Sequence, residues 1–153
     1  MKKILSVIVS VGLCLSLCAC GGEKKAEVPF DPAADAKTLL ESGCFSEELT
    51  EIPAEIACST YGIDPANVTS SAFYGSTGTT AEELAILVLK DADSAKAALT
   101  ALGYRVEDRT ESMKSYIPTE VPKLEKAVTA SRGNSVLLVV ANDYGPVNTF
   151  LGG

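Results

Sequence analysis

The sequence predicts one α+β domain built on a four-stranded, mainly antiparallel sheet. Residues 84–89 and 136–140 are apolar at every position, which is typical of central strands covered on both faces. Residues 92–116 place apolar side chains at spacings of three, four and seven, which predicts a long amphipathic helix. With a hairpin on either side of it, we expect this helix to cover one face of the sheet. N-terminal helices are expected to cover an edge or the other face.

A short helix with clear end signals is expected to open the domain. Asp31 is suited to the N-cap, Pro32 to the first helical position, and Gly43 to the residue just past the end. Residues 44–63 are predicted to be helical in part. Their buried face is expected to contain Ile52, Ile56 and Tyr61.

Two hairpins supply the strands of the predicted sheet. A loop at residues 75–82 joins the first pair, and a turn at residues 132–134 joins the second. The two fully apolar strands should be neighbours, which predicts the order first, second, fourth, third by strand number, with the direction between the hairpins left open. Residues 142–153 are interpreted as a last short helix or a frayed end. The strands are residues 68–74 (at an edge), 84–89, 126–131 and 135–141.

The N-terminal segment has the pattern of a secretion signal. Lysines at the start precede an apolar run at residues 4–17, and small residues then precede Cys20. The segment resembles the bacterial lipobox, in which the cysteine is lipidated and the preceding residues are removed. Two acyl chains suffice for stable membrane attachment. The alternative is an uncleaved transmembrane anchor, because residues 4–22 are uncharged and a bilayer core of ~30 Å requires a helix of about that length.

Either interpretation places the domain on the extracytoplasmic face of the cell membrane. We expect residues 1–19 to be the signal, residues 20–30 a tether, and residues 31–153 the single folded domain. The tether segment at residues 21–30 is polar and aperiodic, and as a random coil it would span about 17 Å. Lipidated Cys20 is expected to bind the membrane. The domain is therefore expected to meet its targets near the membrane surface.

Charge and composition exclude several classes of function. The full chain carries a net charge of −7, and removal of Lys2 and Lys3 with the signal makes it −9. Acidic chains are repelled by nucleic acid, so no nucleic-acid partner is expected. The chain contains no histidine, which excludes Ser-His-Asp and Cys-His catalysis and zinc sites that need imidazole. We predict no cofactor and no metal, while carboxylate chemistry remains open.

Two cysteines remain in the folded domain, Cys44 and Cys58. Outside the cytoplasm they could form a disulfide, which would close a loop of ~15 residues and stabilise the fold by ~3 kcal/mol. That pairing requires Cα atoms within ~7 Å of each other. The alternative is a pair of small buried hydrophobic residues.

A series of short motifs within residues 39–141 resembles a known family. By their order and spacing they are similar to the uncharacterised bacterial lipoproteins that share domain of unknown function 4358. Cys44 and Cys58 depart from that pattern. The family has no assigned activity, so the resemblance implies a fold and not a function. The motifs are residues 61–64, residues 80–85, Arg105 followed by Tyr116 and Pro118, residues 122–127, and residues 136–140.

Four residues make up the candidate functional surface: Glu82, Glu83, Arg105 and Tyr116. The two adjacent glutamates should point to opposite faces of an extended chain, so they cannot share one site without a bulge. One of them could bind a partner or loop amides, or both could be structural. The preceding loop, GSTGTT, superficially resembles a phosphate loop but has no lysine, and we interpret it as a hairpin loop.

The two candidate residues of the long helix are not expected to act as one compact pair. Arg105 and Tyr116 share a helix face but lie ~16 Å apart along its axis. We expect Arg105 to pair with a nearby acid such as Asp108, and Tyr116 to pack against the domain.

Three functions follow from these features. We favour a non-catalytic binding or accessory protein with an envelope protein partner, because the sequence combines a membrane anchor with no catalytic set. The second is an enzyme that acts on cell-wall or glycan substrates through two carboxylates, which would need to lie ~5–9.5 Å apart in a cleft. The third is a structural component of the envelope.

Overall fold

Five antiparallel strands form the sheet at the centre of the structure, a computed structural model that describes residues 27–152. Their spatial order is β1-β2-β3-β5-β4. The strands are β1 (Thr50–Glu51), β2 (Val68–Gly75), β3 (Glu83–Leu89), β4 (Val128–Arg132) and β5 (Ser135–Val140). The helices are α1 (Pro32–Glu41), α2 (Ala54–Tyr61), α3 (Ala92–Tyr116), α4 (Val121–Glu125) and α5 (Gly145–Leu151), with 3-10 turns at Pro65–Asn67 and Pro118–Glu120.

The predicted α+β class and the order of the four main strands are confirmed, but the strand count of four is wrong. The additional strand β1 contains two residues, and it pairs Thr50 with Gly75 and Glu51 with Tyr74. Two residues are too few to produce an alternating pattern, so no sequence signal marks this strand. The direction left open between the hairpins is antiparallel, with Glu83 paired with Val140.

Helices cover both faces of the sheet, which explains why β3 and β5 are apolar throughout. Alternate side chains of these strands belong to two separate core clusters. Helices α2 and α3 pack on one face, while α1 and α5 pack on the other. The cluster on the α3 side contains Ala85, Leu87, Val136 and Leu138. The cluster on the α1 side contains Leu84, Ile86, Leu137 and Val139.

The long helix α3 has the predicted bounds. Asp91 caps it, because its carboxylate accepts a hydrogen bond of 2.7 Å from the amide of Ser94. Ile117 and Pro118 end it, since a residue before proline is disfavoured in the α conformation. The helix therefore runs along the sheet from the Leu89 end of β3 back to the Glu83 end.

The predicted buried face of the α2 region is partly wrong. Ile56 is 59% exposed, whereas the buried residues of α2 are Ala57, Cys58 and Tyr61. One residue is a rotation of about 100° on a helix, so a face centred on residues 57, 58 and 61 leaves Ile56 at the surface. Ile52 precedes the helix and is partly buried against the core on the α3 side.

The two cysteines are free and buried in different core clusters. Cys44 belongs to the α1 side and Cys58 to the α3 side, so the sheet lies between them. Burial raises the pKa of both thiols. The structure therefore has two small buried residues here instead of a disulfide.

The packed domain begins at Phe30, which we had assigned to the tether. Phe30 is 2% exposed, its ring stacks at 6.2 Å from that of Phe150, and its amide donates a 2.8 Å hydrogen bond to Ser135 Oγ. The preceding residues lie against the β4–β5 turn, where a Cβ on Gly133 would be 3.3 Å from the carbonyl oxygen of Glu27. The chain thus joins the domain at the sheet end opposite to Glu83.

The signal, Cys20 and most of the tether lie outside the described residues, so those interpretations stay predictions. None of the helices within residues 27–152 is long and apolar enough to cross a membrane.

Candidate functional site

Two adjacent glutamates are buried where β3 begins. Glu82 is 1% exposed and Glu83 is 3% exposed, although carboxylates are seldom buried unless they are paired. They point to opposite faces of the sheet, as an extended chain requires. Each therefore forms a separate centre.

The Glu83 centre comprises Glu83, Arg105, Arg109 and Tyr61. Arg105 binds the Glu83 carboxylate through two hydrogen bonds, Nε to Oε1 at 3.0 Å and Nη2 to Oε2 at 2.9 Å. The Arg105 guanidinium also lies 5.0 Å above the centre of the Tyr61 ring. Arg109 is more distant, with its Nε 3.9 Å from Glu83 Oε2. Two arginines thus share one buried carboxylate.

The prediction that Arg105 pairs with Asp108 is wrong. The side chain of Arg105 turns toward the sheet and meets Glu83, which is only 4% exposed, in a bidentate pair. Asp108 instead lines a surface groove between α2 and α3. A carboxylate buried at the end of β3 offers a guanidinium a better-ordered partner than an exposed acid on the same helix.

The pKa values in this centre distinguish the two arginines. Burial acts to lower the pKa of Arg105, but the hydrogen bonds and charge of Glu83 outweigh it and raise that pKa. Burial lowers the pKa of Arg109, and the attraction of Glu83 does not offset it, because Arg105 adds a repulsive charge. Burial, followed by the charge of Glu83, raises the pKa of Tyr61. Glu83 therefore compensates Arg105 and leaves Arg109 under-compensated.

Two buried polar atoms in this centre have no hydrogen-bond partner. They are Tyr61 Oη and Arg109 Nε, and within residues 27–152 no other buried side-chain nitrogen or oxygen lacks one. Buried polar atoms in native proteins are nearly always paired, so unpaired ones in a single centre need an explanation.

The Glu82 centre joins three segments of the chain. Glu82 Oε2 accepts a 2.9 Å hydrogen bond from the amide of Ser46, and Oε1 accepts one from the Ser46 hydroxyl and one of 2.8 Å from Lys123 Nζ. Lys123 also lies 3.0 Å from Glu120, which accepts a 2.9 Å hydrogen bond from the amide of Ala81. Glu82 therefore fixes both the loop after α1 and helix α4 to the start of β3.

Glu82 and Glu120 are two carboxylates that bind the same ammonium group, that of Lys123. Burial acts to lower the pKa of Lys123, but the hydrogen bonds that its ammonium donates to both carboxylates raise that pKa. The side chain of Glu82 is fully buried and has no contact with solvent. This arrangement holds the structure together and keeps the Glu82 carboxylate away from a substrate.

The polar groups of the loop between β2 and β3 form hydrogen bonds within the loop and with Glu47. Ser76 Oγ accepts hydrogen bonds from the amides of Gly78 and Thr80, at 3.2 and 3.0 Å. The hydroxyls of Thr79 and Thr80 donate to Glu47 at 2.8 and 2.7 Å. A loop anchored to a carboxylate is unsuited to phosphate, in agreement with its interpretation as a hairpin loop.

A groove of about 310 Å³ lies between α2 and α3, beside the Glu83 centre. Tyr104 borders it and is 63% exposed. Ile56, 59% exposed, lies one helical turn before the groove residue Thr60 on α2. Tyr61 and Arg105 line the groove and also belong to the Glu83 centre. We call this region the α2–α3 groove; it is lined by Ser59, Thr60, Tyr61, Gly62, Ala101, Tyr104, Arg105 and Asp108.

Comparison with known proteins identifies a family. The family described as Domain of unknown function (DUF4358) matches residues 42–141, well over half of the chain. The chain belongs to the DUF4358 family. No curated protein and no solved structure matches it. The matched segment of this DUF4358 protein contains both glutamate centres and the helix α3, while helix α1 lies before it and helix α5 after it.

The DUF4358 domain does not unite the four residues that we had proposed as its functional surface. Glu83 and Arg105 form one centre, and Glu82 lies on the other face of the sheet. Tyr116 is 71% exposed at the end of α3, so the prediction that it packs is wrong. No sequence motif had indicated Arg109 or Tyr104, and Lys123 had been noted only as part of the motif at residues 122–127.

Among the described residues there is no group of three His, Cys, Asp or Glu side chains placed to hold a metal ion. The polar chemistry of the DUF4358 domain in this region consists of paired carboxylates, two arginines and an exposed tyrosine.

Proposed function

We propose that this DUF4358 protein is a lipid-anchored, non-catalytic binding or accessory protein on the extracytoplasmic face of the cell membrane, and that it binds an envelope protein through the α2–α3 groove. The observation that carries the proposal is the groove itself. It combines an exposed aromatic side chain, Tyr104, with a rim of charged and small polar residues. Tyrosine and arginine are the residues enriched where proteins bind one another.

The position at which the chain joins the domain supports a membrane-facing orientation. Residues 27–29 lie beside the β4–β5 turn, close to the Leu89 end of β3, because Leu89 donates a hydrogen bond to Asn134 in that turn. Strand β3 has seven residues, and at ~3.4 Å per residue it separates its two ends by about 20 Å. A lipid on Cys20 would hold the Leu89 end nearest the membrane and direct the Glu83 centre outward.

The buried carboxylates support binding in preference to hydrolysis by a carboxylate pair. Glu82 and Glu83 face opposite sides of the sheet, and each is bound to a cation. A glycosidase of either stereochemical class needs two acids that meet the substrate in one cleft.

Site-specific photo-crosslinking in native membranes tests the proposal. A photoreactive amino acid replaces Tyr104 in the full-length, lipidated chain, and in a matched control it replaces Tyr116. Both positions are exposed tyrosines of α3, but only Tyr104 borders the groove. We expect a discrete protein to be captured from position 104 and not from position 116.

The captured protein is then purified and its affinity measured directly. Tyr104→Ala should weaken binding at least tenfold, whereas Tyr116→Ala should change it less than twofold. Equal capture at both positions would contradict the proposal. So would capture of no protein together with a rise in melting temperature on addition of cell-wall glycans.

A further inference from the structure

The Glu83 centre contains two positively charged side chains and only one negatively charged side chain. Arg105 and Arg109 face the single Glu83 carboxylate, and Arg105 occupies both of its oxygens. Arg109 Nε lies 3.9 Å from Oε2 and makes no hydrogen bond. The side chain of Arg109 is 26% exposed, so part of it is open to a molecule in solution.

Other half-buried cations of the domain have partners. Lys123 binds both Glu82 and Glu120. Arg132 lies over the rings of Phe30 and Phe150, and its Nη2 donates to the carbonyl of Leu151. Arg109 therefore differs from them, because the carboxylate beside it, that of Glu83, is already bound by Arg105.

The adjacent acids of α3 do not compensate Arg109. Asp108 lines the α2–α3 groove, and Glu107 is exposed on the helix. Within the described part of the chain no ion pair of 4 Å or less joins either of them to Arg109. Tyr61 Oη, which is also unpartnered, lies in the same centre. Both unpartnered atoms are themselves buried, so a ligand in solution would reach Arg109 through the exposed part of its side chain.

We propose that Arg109 binds a carboxylate group of a ligand. A guanidinium presents a planar fork of N–H donors that matches the two oxygens of a carboxylate, and a single negative charge would bring the sum over Glu83, Arg105, Arg109 and the ligand to zero. The carboxylate belongs either to a small free acid or to an acidic side chain of a bound protein. Only the second source depends on the proposed function.

Acetate is the probe for this site. The full-length lipidated protein, labelled with nitrogen-15 and held in detergent micelles, is titrated with sodium acetate, and the Nε resonance of Arg109 is followed by NMR. Sodium chloride at the same ionic strength is the reference. We expect a saturable shift with acetate that chloride does not produce. Identical, unsaturated shifts with both salts would overturn the proposal.

Variants identify the residue that binds. Arg109→Gln should weaken acetate binding at least tenfold, as measured by the acetate-dependent rise in melting temperature. Arg109→Lys keeps the charge but loses the fork, and it should weaken binding several-fold, which keeps the test valid if the glutamine variant does not fold. Lys96→Gln removes an exposed charge from the same helix and should leave binding unchanged. Unchanged binding in both Arg109 variants would refute the assignment.

The source of the carboxylate is resolved by a second probe. The probe is a glutamate-containing peptide with an acetylated N-terminus and an amidated C-terminus. It should bind at least tenfold more tightly than acetate if the natural ligand is a protein. It should bind no more tightly than acetate if the natural ligand is a small acid. If acetate binds at Arg109 while crosslinking from position 104 captures no protein and cell-wall glycans raise the melting temperature, the site stands and the proposed function fails.

Discussion

Nη2 of Arg105 lies 2.9 Å from Oε2 of Glu83, and this contact ties the middle of α3 to the first residue of β3. The pair joins residues that are 22 positions apart in the chain. Since Glu83 is 4% exposed and Arg105 is 20% exposed at the side chain, the pair is largely shielded from solvent. Removal of one partner would leave the other charged and poorly solvated.

Glu83→Gln should therefore lower the free energy of unfolding by about 3 kcal/mol, because it leaves two arginines without a counter-charge. Urea denaturation at neutral pH measures the change. Glu111→Gln is the matched control, since it breaks an exposed ion pair with Lys114, whose loss should cost less than about 0.5 kcal/mol. Equal destabilisation by the two variants would show that the Glu83 pair contributes no more than a surface contact.

The pairing of Glu83 with Arg105 could have been derived from the sequence with one further step. From Glu83 to Leu89 a strand rises about 20 Å, and from Ala92 to Arg105 a helix rises about 20 Å. A helix that returns along the strand it follows thus brings residue 105 beside residue 83. The predicted apolar stripe of α3 also indicated that these arginines face the sheet. Arg105 and Arg109 lie three and seven residues after buried Leu102, which places them on the same face of the helix.

The central strands could be predicted from the sequence, whereas three other features had no local sequence signal. The fully apolar segments predicted the central strands because burial on both faces leaves a mark at every position. Strand β1 is too short for any pattern, and Lys123 meets Glu82 across 41 positions through the folding of α4. Cys44 and Cys58 are separated because their segments cover opposite faces of the sheet. The number of residues between the two cysteines does not indicate which face each segment covers.

Ser46 should contribute to stability through its contact with the Glu82 carboxylate. Ser46→Ala removes a hydroxyl donor from a buried charge and should cost about 1.5–3 kcal/mol. Thermal unfolding measures this, and amide hydrogen exchange in the loop after α1 should accelerate. Ser115→Ala, at an exposed position of α3, provides the control and should change stability by less than about 0.5 kcal/mol. Unchanged exchange near residue 46 would show that Glu82 does not hold this loop.

Lipidation at Cys20 has a direct chemical test. Cys20→Ala should abolish incorporation of a clickable palmitate analogue and leave the precursor uncleaved, as judged by the mass of the intact protein. Cys18→Ala should be labelled and processed normally, because it leaves the modified residue in place. The transmembrane interpretation makes the opposite prediction, namely an unlabelled chain of full length in both variants and in the wild type.

Tyr61→Phe should stabilise the domain slightly or leave it unchanged at neutral pH, because the hydroxyl is buried without a partner. The larger effect is expected in alkali. Burial, together with the charge of Glu83, raises the pKa of Tyr61 above its ordinary value. As pH rises above about 10, the unfolded chain releases the phenol proton while the folded protein retains it. The unfolded state then binds fewer protons, and the free energy of unfolding falls with pH.

The phenylalanine variant should lose stability less steeply than the wild type above pH ~10, because it lacks this titration. Cys44, Cys58, Lys123 and Tyr144 also have raised pKa values, so a smaller decline remains in the variant. Urea denaturation at a series of pH values from 7 to 11 compares the slopes. Tyr104→Phe is the control, since Tyr104 is 63% exposed and its removal should leave the wild-type slope. If the two variants decline in parallel, the phenol of Tyr61 ionises as freely in the folded protein as in the unfolded chain.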